Sequence, residues 1–234
     1  MPRDRIANLE TLATASPNFD KTDPPALQLR HDMMRAKIAV YTQGQGAASR
    51  LFRKDPSGLA ARYGDAQATY LHGNPASALK KTEALIKAQP KNAYFYELKG
   101  DILLKANKPA DAATAYASAV KLDPGRSGML PIALGQALVA AGDPGSLKKA
   151  VSQIKVGLER DPENSGGYRT LAQAYGQLGD IAEAELATAN GHYYSGNYKD
   201  AKIFAARAQT KMKRGSADWL QAQDIINFKM PKKK

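Results

Sequence analysis

Two prolines, Pro90 and Pro124, stand 34 residues apart, and between them Tyr96, Gly100, Ala112, Tyr116 and Ala119 fall at the spacing of two short helices folded back on each other. No other feature constrains the chain as strongly. A two-helix unit of this length cannot bury its apolar face alone, so it must stack on neighbours of the same kind. Gly100 and Ala112 are small where the two helix axes would cross, which lets the backbones approach, and Tyr96 and Tyr116 are placed to fill the gaps around that crossing. Pro124 has no amide hydrogen, so it ends the second helix and starts the turn to the next unit.

This spacing resembles the tetratricopeptide repeat (TPR), and the resemblance implies an all-α solenoid of helical hairpins wound as a right-handed superhelix. A first unit runs from Leu59 to Pro90, with Tyr70, Gly73, Ala78 and Leu85 in place and Asn74-Pro75 between its helices. The second, Ala93 to Pro124, is the clearest. A third carries Gly135, Leu138, Gly142, Ala150 and Ile154 before Pro162, which lies 38 residues after Pro124. Most of the extra length is expected in Asp143 to Leu147, as a longer loop between the two helices. The fourth shows Tyr168, Leu171, Ala172, Tyr175, Gly179, Ile181 and Ala184, and Gly196, Tyr198 and Ala201 repeat its last part only 17 residues on. Ile181 to Ser195 is therefore expected to serve both a fourth and a fifth unit, which Tyr198 to Lys213 completes.

The expected organisation has three parts. Residues 1–57 hold helices at Arg3 to Ala15, Ala26 to Thr42 and Ala47 to Lys54 that cap or extend the array. Residues 58–214 form the array of four to five units. Residues 215–234 supply a terminal helix, Ala217 to Phe228, with Ser216 as N-cap and Trp219 the only tryptophan, followed by a basic tail.

Composition removes several classes of chemistry. With no cysteine there are no disulfides and no thiolate sites. His31, His72 and His192 are scattered and none lies in a metal-ligand spacing such as HExxH; no GxSxG elbow occurs, and Gly44-Gln45-Gly46 lacks the lysine of a phosphate loop and reads as a turn. The chain therefore offers no catalytic, metal or cofactor-binding residues of its own. Its start shows no apolar signal region, and the longest apolar stretch, Leu130 to Ala141, is too short to span a bilayer. The net charge of +12 draws on Arg50, Arg53, Lys54 and Arg62 and on a C-terminal group that includes Lys211, Lys213, Arg214, Lys229, Lys232, Lys233 and Lys234. No aromatic-interleaved basic stripe accompanies it, so a solvated basic surface is favoured over a nucleic-acid site, with nucleic-acid binding through the tail kept as an alternative.

In TPR arrays the first helix of each unit lines the inner face. That rule selects Tyr63, Gln67 and Tyr70 from the first unit, Tyr94, Glu97, Asp101 and Lys105 from the second, Gln136 and Val139 from the third, and Arg169, Gln173 and Gln177 from the fourth. The set describes a mixed polar and aromatic groove for an extended polypeptide or a helix. Tyr63, Tyr70 and Tyr94 are equally suited to packing between neighbouring helices. TPR domains that grip acidic C-terminal tails use Lys and Asn pairs at first-helix positions, where this chain has Tyr63 with Gln67, Glu97 with Asp101, and Arg169 with Gln173, so acidic tails are not expected as partners.

Beyond the repeat, Met34-Arg35-Ala36-Lys37, Leu51 through Pro56, Gly100 through Leu103, Tyr168 through Gly179, Gly191 through Tyr194 and Gln223 through Ile226 resemble the C-terminal half of bacterial HExxH zinc metalloproteases of the CAAX-prenyl-protease-like group, which carry TPR repeats. The resemblance covers nearly the whole chain. It implies a periplasmic setting, protein quality control at the outer membrane, and a substrate-handling role, with zinc held only in a catalytic half that this sequence lacks. Two readings follow: a stand-alone noncatalytic scaffold binding polypeptide clients or an assembly partner, or a fragment of a full-length zinc metalloendopeptidase in which Met1 is an internal methionine.

Overall fold

The computed structural model describes residues 3–229. Those residues form thirteen α-helices and no strand, and the chain divides into two compact units that meet in sequence between Ala68 and Thr69.

The first unit contains α1 (Arg3–Thr14), α2 (Pro25–Gln43), α3 (Ala47–Leu51) and the opening turns of α4 (Leu59–His72). Proline at the first position starts α2, where a missing amide hydrogen costs nothing, and Gly44 ends it at φ 77. Met33, Ala36 and Val40 of α2 are buried with Ala47 and Ala48 of α3. A side chain at Gly64 of α4 would run into the methyl groups of Ala48 and Ala36, so the glycine sets how closely these helices approach. α3 stops at Leu51, short of Lys54, and Phe52 caps it through the Ala48 carbonyl.

The second unit is a series of antiparallel hairpins: α5 (Pro75–Ala88), α6 (Ala93–Lys105), α7 (Pro109–Leu122), α8 (Met129–Ala141), α9 (Pro144–Arg160), α10 (Ser165–Leu178), α11 (Ile181–Tyr194), α12 (Tyr198–Gln209) and α13 (Ala217–Asn227). From α5 to α12 each helix packs on the next one in the chain, so within this unit the burial is serial. Side-chain caps define the starts. Asn74, Asn92, Asp143, Asn164 and Ser216 each accept backbone amides from the first turn of the helix they precede. A Cβ at Gly100 of α6 would lie 2.7 Å from the Tyr116 ring of α7, which is the close crossing the repeat spacing anticipates.

The extra residues of the third unit do not lengthen the loop between its helices. Only Gly142 and Asp143 separate α8 from α9, and Asp143-Pro144 is a helix start. The added length sits in α9, three residues longer than α7, and in the connection Asp123 to Gly128. Asp123 holds that connection: its carboxylate accepts the amides of Gly125 at 3.0 Å and Ser127 at 2.6 Å, while Arg160 donates to the Arg126 carbonyl at 3.0 Å. The helix expected to run to Lys213 ends at Gln209. α11 packs extensively on both α10 and α12, so one helix serves two hairpins.

Part of the basic C-terminal surface is already occupied. Glu185 of α11, 6% exposed, receives Arg207 at 2.7 Å and Lys211 at 2.6 Å, so these two cations neutralise a buried carboxylate. Lys232, Lys233 and Lys234 lie outside the described residues.

A candidate polypeptide-binding face on α8 and α10

The sequence-selected residues separate into three groups. Tyr63, Gln67 and Val139 are 2%, 0% and 7% exposed, so they belong to the packed interior and not to an open groove. Tyr63 accepts a hydrogen bond from Gln67 Nε2 at 2.8 Å within α4. Their first-helix positions suggested a lining; their burial shows interhelix filling instead.

The residues around α6 are closer to the surface but engaged. Asp101 accepts the Tyr116 hydroxyl at 2.6 Å. Burial first, and the Asp101 carboxylate second, push the Tyr116 phenol far above its ordinary range, so it stays a donor. Lys105 donates to the carbonyls of Tyr70 at 2.6 Å and Leu71 at 3.3 Å, and its ammonium lies 5.0 Å from the Tyr70 ring centroid. It thus caps the end of α4, where carbonyls lack helical partners and a positive charge is favoured. Tyr94 and Glu97 are half-buried and also have partners within the chain.

On α8 and α10 the situation is reversed. These two first helices touch each other directly, and a cleft of about 510 Å³ lies along them. Met129, Ile132, Ala133 and Gln136 come from α8; Gly166, Arg169, Thr170 and Gln173 come from α10, with Asn164 at its mouth. Thr170 folds back onto the Gly166 carbonyl, and Asn164 is committed to capping through Gly167 and to Asp161. Gln136, Arg169, Gln173 and, one turn further, Gln177 are exposed, and among the described residues their side chains make no hydrogen bond or ion pair. Met129 at 65% exposure supplies an apolar patch beside them.

Unused amide and guanidinium groups next to exposed aliphatic surface suit a backbone presented edge-on. Gln can both donate to and accept from a peptide unit, while Arg donates to its carbonyls. Met129, Ile132, Thr170 and Asn164 were absent from the sequence-based set. Asn164 was legible as a cap, since Pro162-Glu163-Asn164 repeats Pro90-Lys91-Asn92, but Met129 precedes the expected inner-face positions and carried no polar signal.

Among the described residues no three His, Asp or Glu side chains converge to hold a metal. His192 stacks on Phe204 at 5.4 Å between ring centroids, which is a packing role. Among the described residues no helix is long and apolar enough to cross a membrane.

Known proteins place this architecture. The tetratricopeptide repeat model matches residues 66–127. The beta-barrel assembly-enhancing proteases of Escherichia coli strain K12 and of Shigella flexneri are each 26% identical to this chain over 214 residues, covering 88% of it and 43% of the protease. The chain thus spans less than half the length of these relatives. Among solved structures, a MamA protein superimposes with TM-score 0.58 at 18% identity, covering 72% of this chain and 97% of that one. YrrB, described as a TPR protein with an unusual peptide-binding site, does so with TM-score 0.54 at 20% identity, covering 87% of this chain and 97% of that one. The fold is an all-α, TPR-type solenoid of tandem helix hairpins, a scaffold that resembles part of a protease.

Proposed function

We propose that this chain is a polypeptide-binding scaffold, and that the cleft between α8 and α10 receives an extended segment of a client or assembly partner. The observation that carries this reading is the concentration of uncommitted Gln136, Arg169 and Gln173 beside exposed Met129, in a scaffold whose neighbouring first-helix polar groups are spent on internal bonds. Similarity to a protease that enhances β-barrel assembly supports clients of the same kind: β-strand segments of outer-membrane proteins, met in the periplasm. Such segments are extended and alternate in polarity, which suits a cleft with amides for the backbone and aliphatic surface for alternate side chains. On this reading any proteolysis, and the zinc it needs, reside in a part of the relatives' length that this chain does not cover.

Fluorescence anisotropy with labelled peptides tiled across outer-membrane β-barrel strands tests the proposal. The expected result is saturable binding of a subset of strand peptides that weakens by about tenfold in the Arg169→Ala, Gln173→Ala double variant. Binding that is absent for every strand peptide, or indifferent to both substitutions, overturns it.

A further inference from the structure

On the side of α10 facing away from the cleft, a second cavity of about 270 Å³ opens among α9, α10, α11 and α13. Its wall is aromatic and aliphatic, from Tyr168, Leu171 and Tyr175. Its rim carries Glu159 from α9, Glu183 from α11 and Asp218 from α13, against a single cation, Lys155. Three carboxylates and one ammonium leave a local surplus of negative charge on a chain whose net charge is +12. Among the described residues none of the three carboxylates has an ion-pair partner within 4.0 Å.

Burial first, then the neighbouring Asp218 carboxylate, hold the Glu183 carboxyl above its ordinary range despite the opposing pull of Lys155. The cavity also displays the contact it favours, because Lys155 Nζ lies 5.6 Å from the Tyr175 ring centroid in a cation–π arrangement. Its volume of about 270 Å³ falls just below the range typical of pockets for drug-sized molecules, about 300–1,000 Å³, which leaves room for a single side chain. A flat guanidinium both stacks on a tyrosine face and forks onto carboxylates.

The geometry points to a side-chain pocket for an arginine of a bound polypeptide, its guanidinium forking onto Glu183 and Asp218 beside the tyrosine wall, where Lys155 already lies over Tyr175 and Tyr168 stacks on Tyr194. The α11-borne and α13-borne carboxylates meet here because α11 also pairs with α12, which brings α13 back against α11. The pocket is separate from the α8–α10 cleft and does not depend on it.

The test is an amide-resolved NMR titration of the full chain with acetyl-Gly-Arg-Gly-amide and with its citrulline counterpart, which keeps the shape and removes the charge. The arginine peptide is expected to shift the amides of Glu183, Asn190, Asp218 and Gln221, and the citrulline peptide to leave them in place. Glu183→Gln with Asp218→Asn should weaken the arginine peptide by about tenfold, while Glu10→Gln on α1 leaves it unchanged. Equal response to citrulline, unaltered affinity in the double variant, or shifts that map elsewhere would each overturn the assignment. So would concentration-dependent shifts without peptide, which identify a second copy as the occupant, or peptide-free shifts on shortening the chain to Lys229, which identify its own lysines.

Discussion

The face of α6 and the cleft of α8 and α10 use the same positions of the same repeat, yet they put their polar groups to opposite uses. On α6, Asp101 holds Tyr116 and Lys105 holds the end of α4, so polar side chains there stabilise the array. On α8 and α10, Gln136, Arg169 and Gln173 hold nothing within the chain, so their hydrogen-bonding capacity is available to a ligand. Residue type at a repeat position does not separate the two. What separates them is whether a neighbouring helix presents a matching group, and that is a property of stacking.

The contrast makes stability and binding dissociate. The largest effect is expected from Tyr116→Phe, which deletes a hydrogen bond to a carboxylate and should cost about 1.5–3 kcal/mol in urea unfolding while leaving strand-peptide affinity intact. A fall in affinity would merge the two faces and break the comparison. The same bond has a pH signature. The folded phenol is held above its ordinary value of 10.0, so the folded state keeps a proton that the unfolded chain releases in alkali. Its contribution is fully present below that value and declines as pH rises through and beyond it; the Tyr116→Phe variant should lose less stability than the parent over that alkaline window.

Arg169→Ala with Gln173→Ala should do the converse. Peptide binding weakens by about 1.4 kcal/mol, and unfolding stays within about 0.5 kcal/mol per site because neither side chain is committed internally. Asn164→Ala sharpens the boundary, since Asn164 lines the cleft yet is committed to capping: removing the cap that accepts Gly167 N at 2.8 Å should cost about 1 kcal/mol of stability by thermal melting. The smallest effect is expected from Lys105→Met, about 0.3–1 kcal/mol from the end of α4, with no change in peptide affinity.

Much of the architecture was legible because spacing and side-chain size determine it. Gly100 facing Tyr116 and Ser216 as the cap of the terminal helix are local signals with one structural solution. The extra length of the third unit was misplaced for a physical reason. Asp143-Pro144-Gly145 looks like turn sequence, but an Asp N-cap followed by proline equally starts a helix, and Leu147, Ala150 and Ile154 continue its buried stripe. The site was legible only in part. Arg169, Gln173 and Gln136 stood out as polar residues at inner positions, whereas the engagement of Lys105 depends on carbonyls 34 and 35 residues away in the chain. The arginine pocket was not legible at all, because Glu159, Glu183 and Asp218 come from three helices whose meeting depends on the shared helix α11.

Hydrogen exchange of the unmodified chain, with and without a saturating strand peptide, reads the division directly. Slowed exchange in Met129–Ala141 and Ser165–Leu178, with Ala93–Lys105 unchanged, is the predicted result. Slowed exchange in Ala93–Lys105 with α8 and α10 unaffected would contradict it.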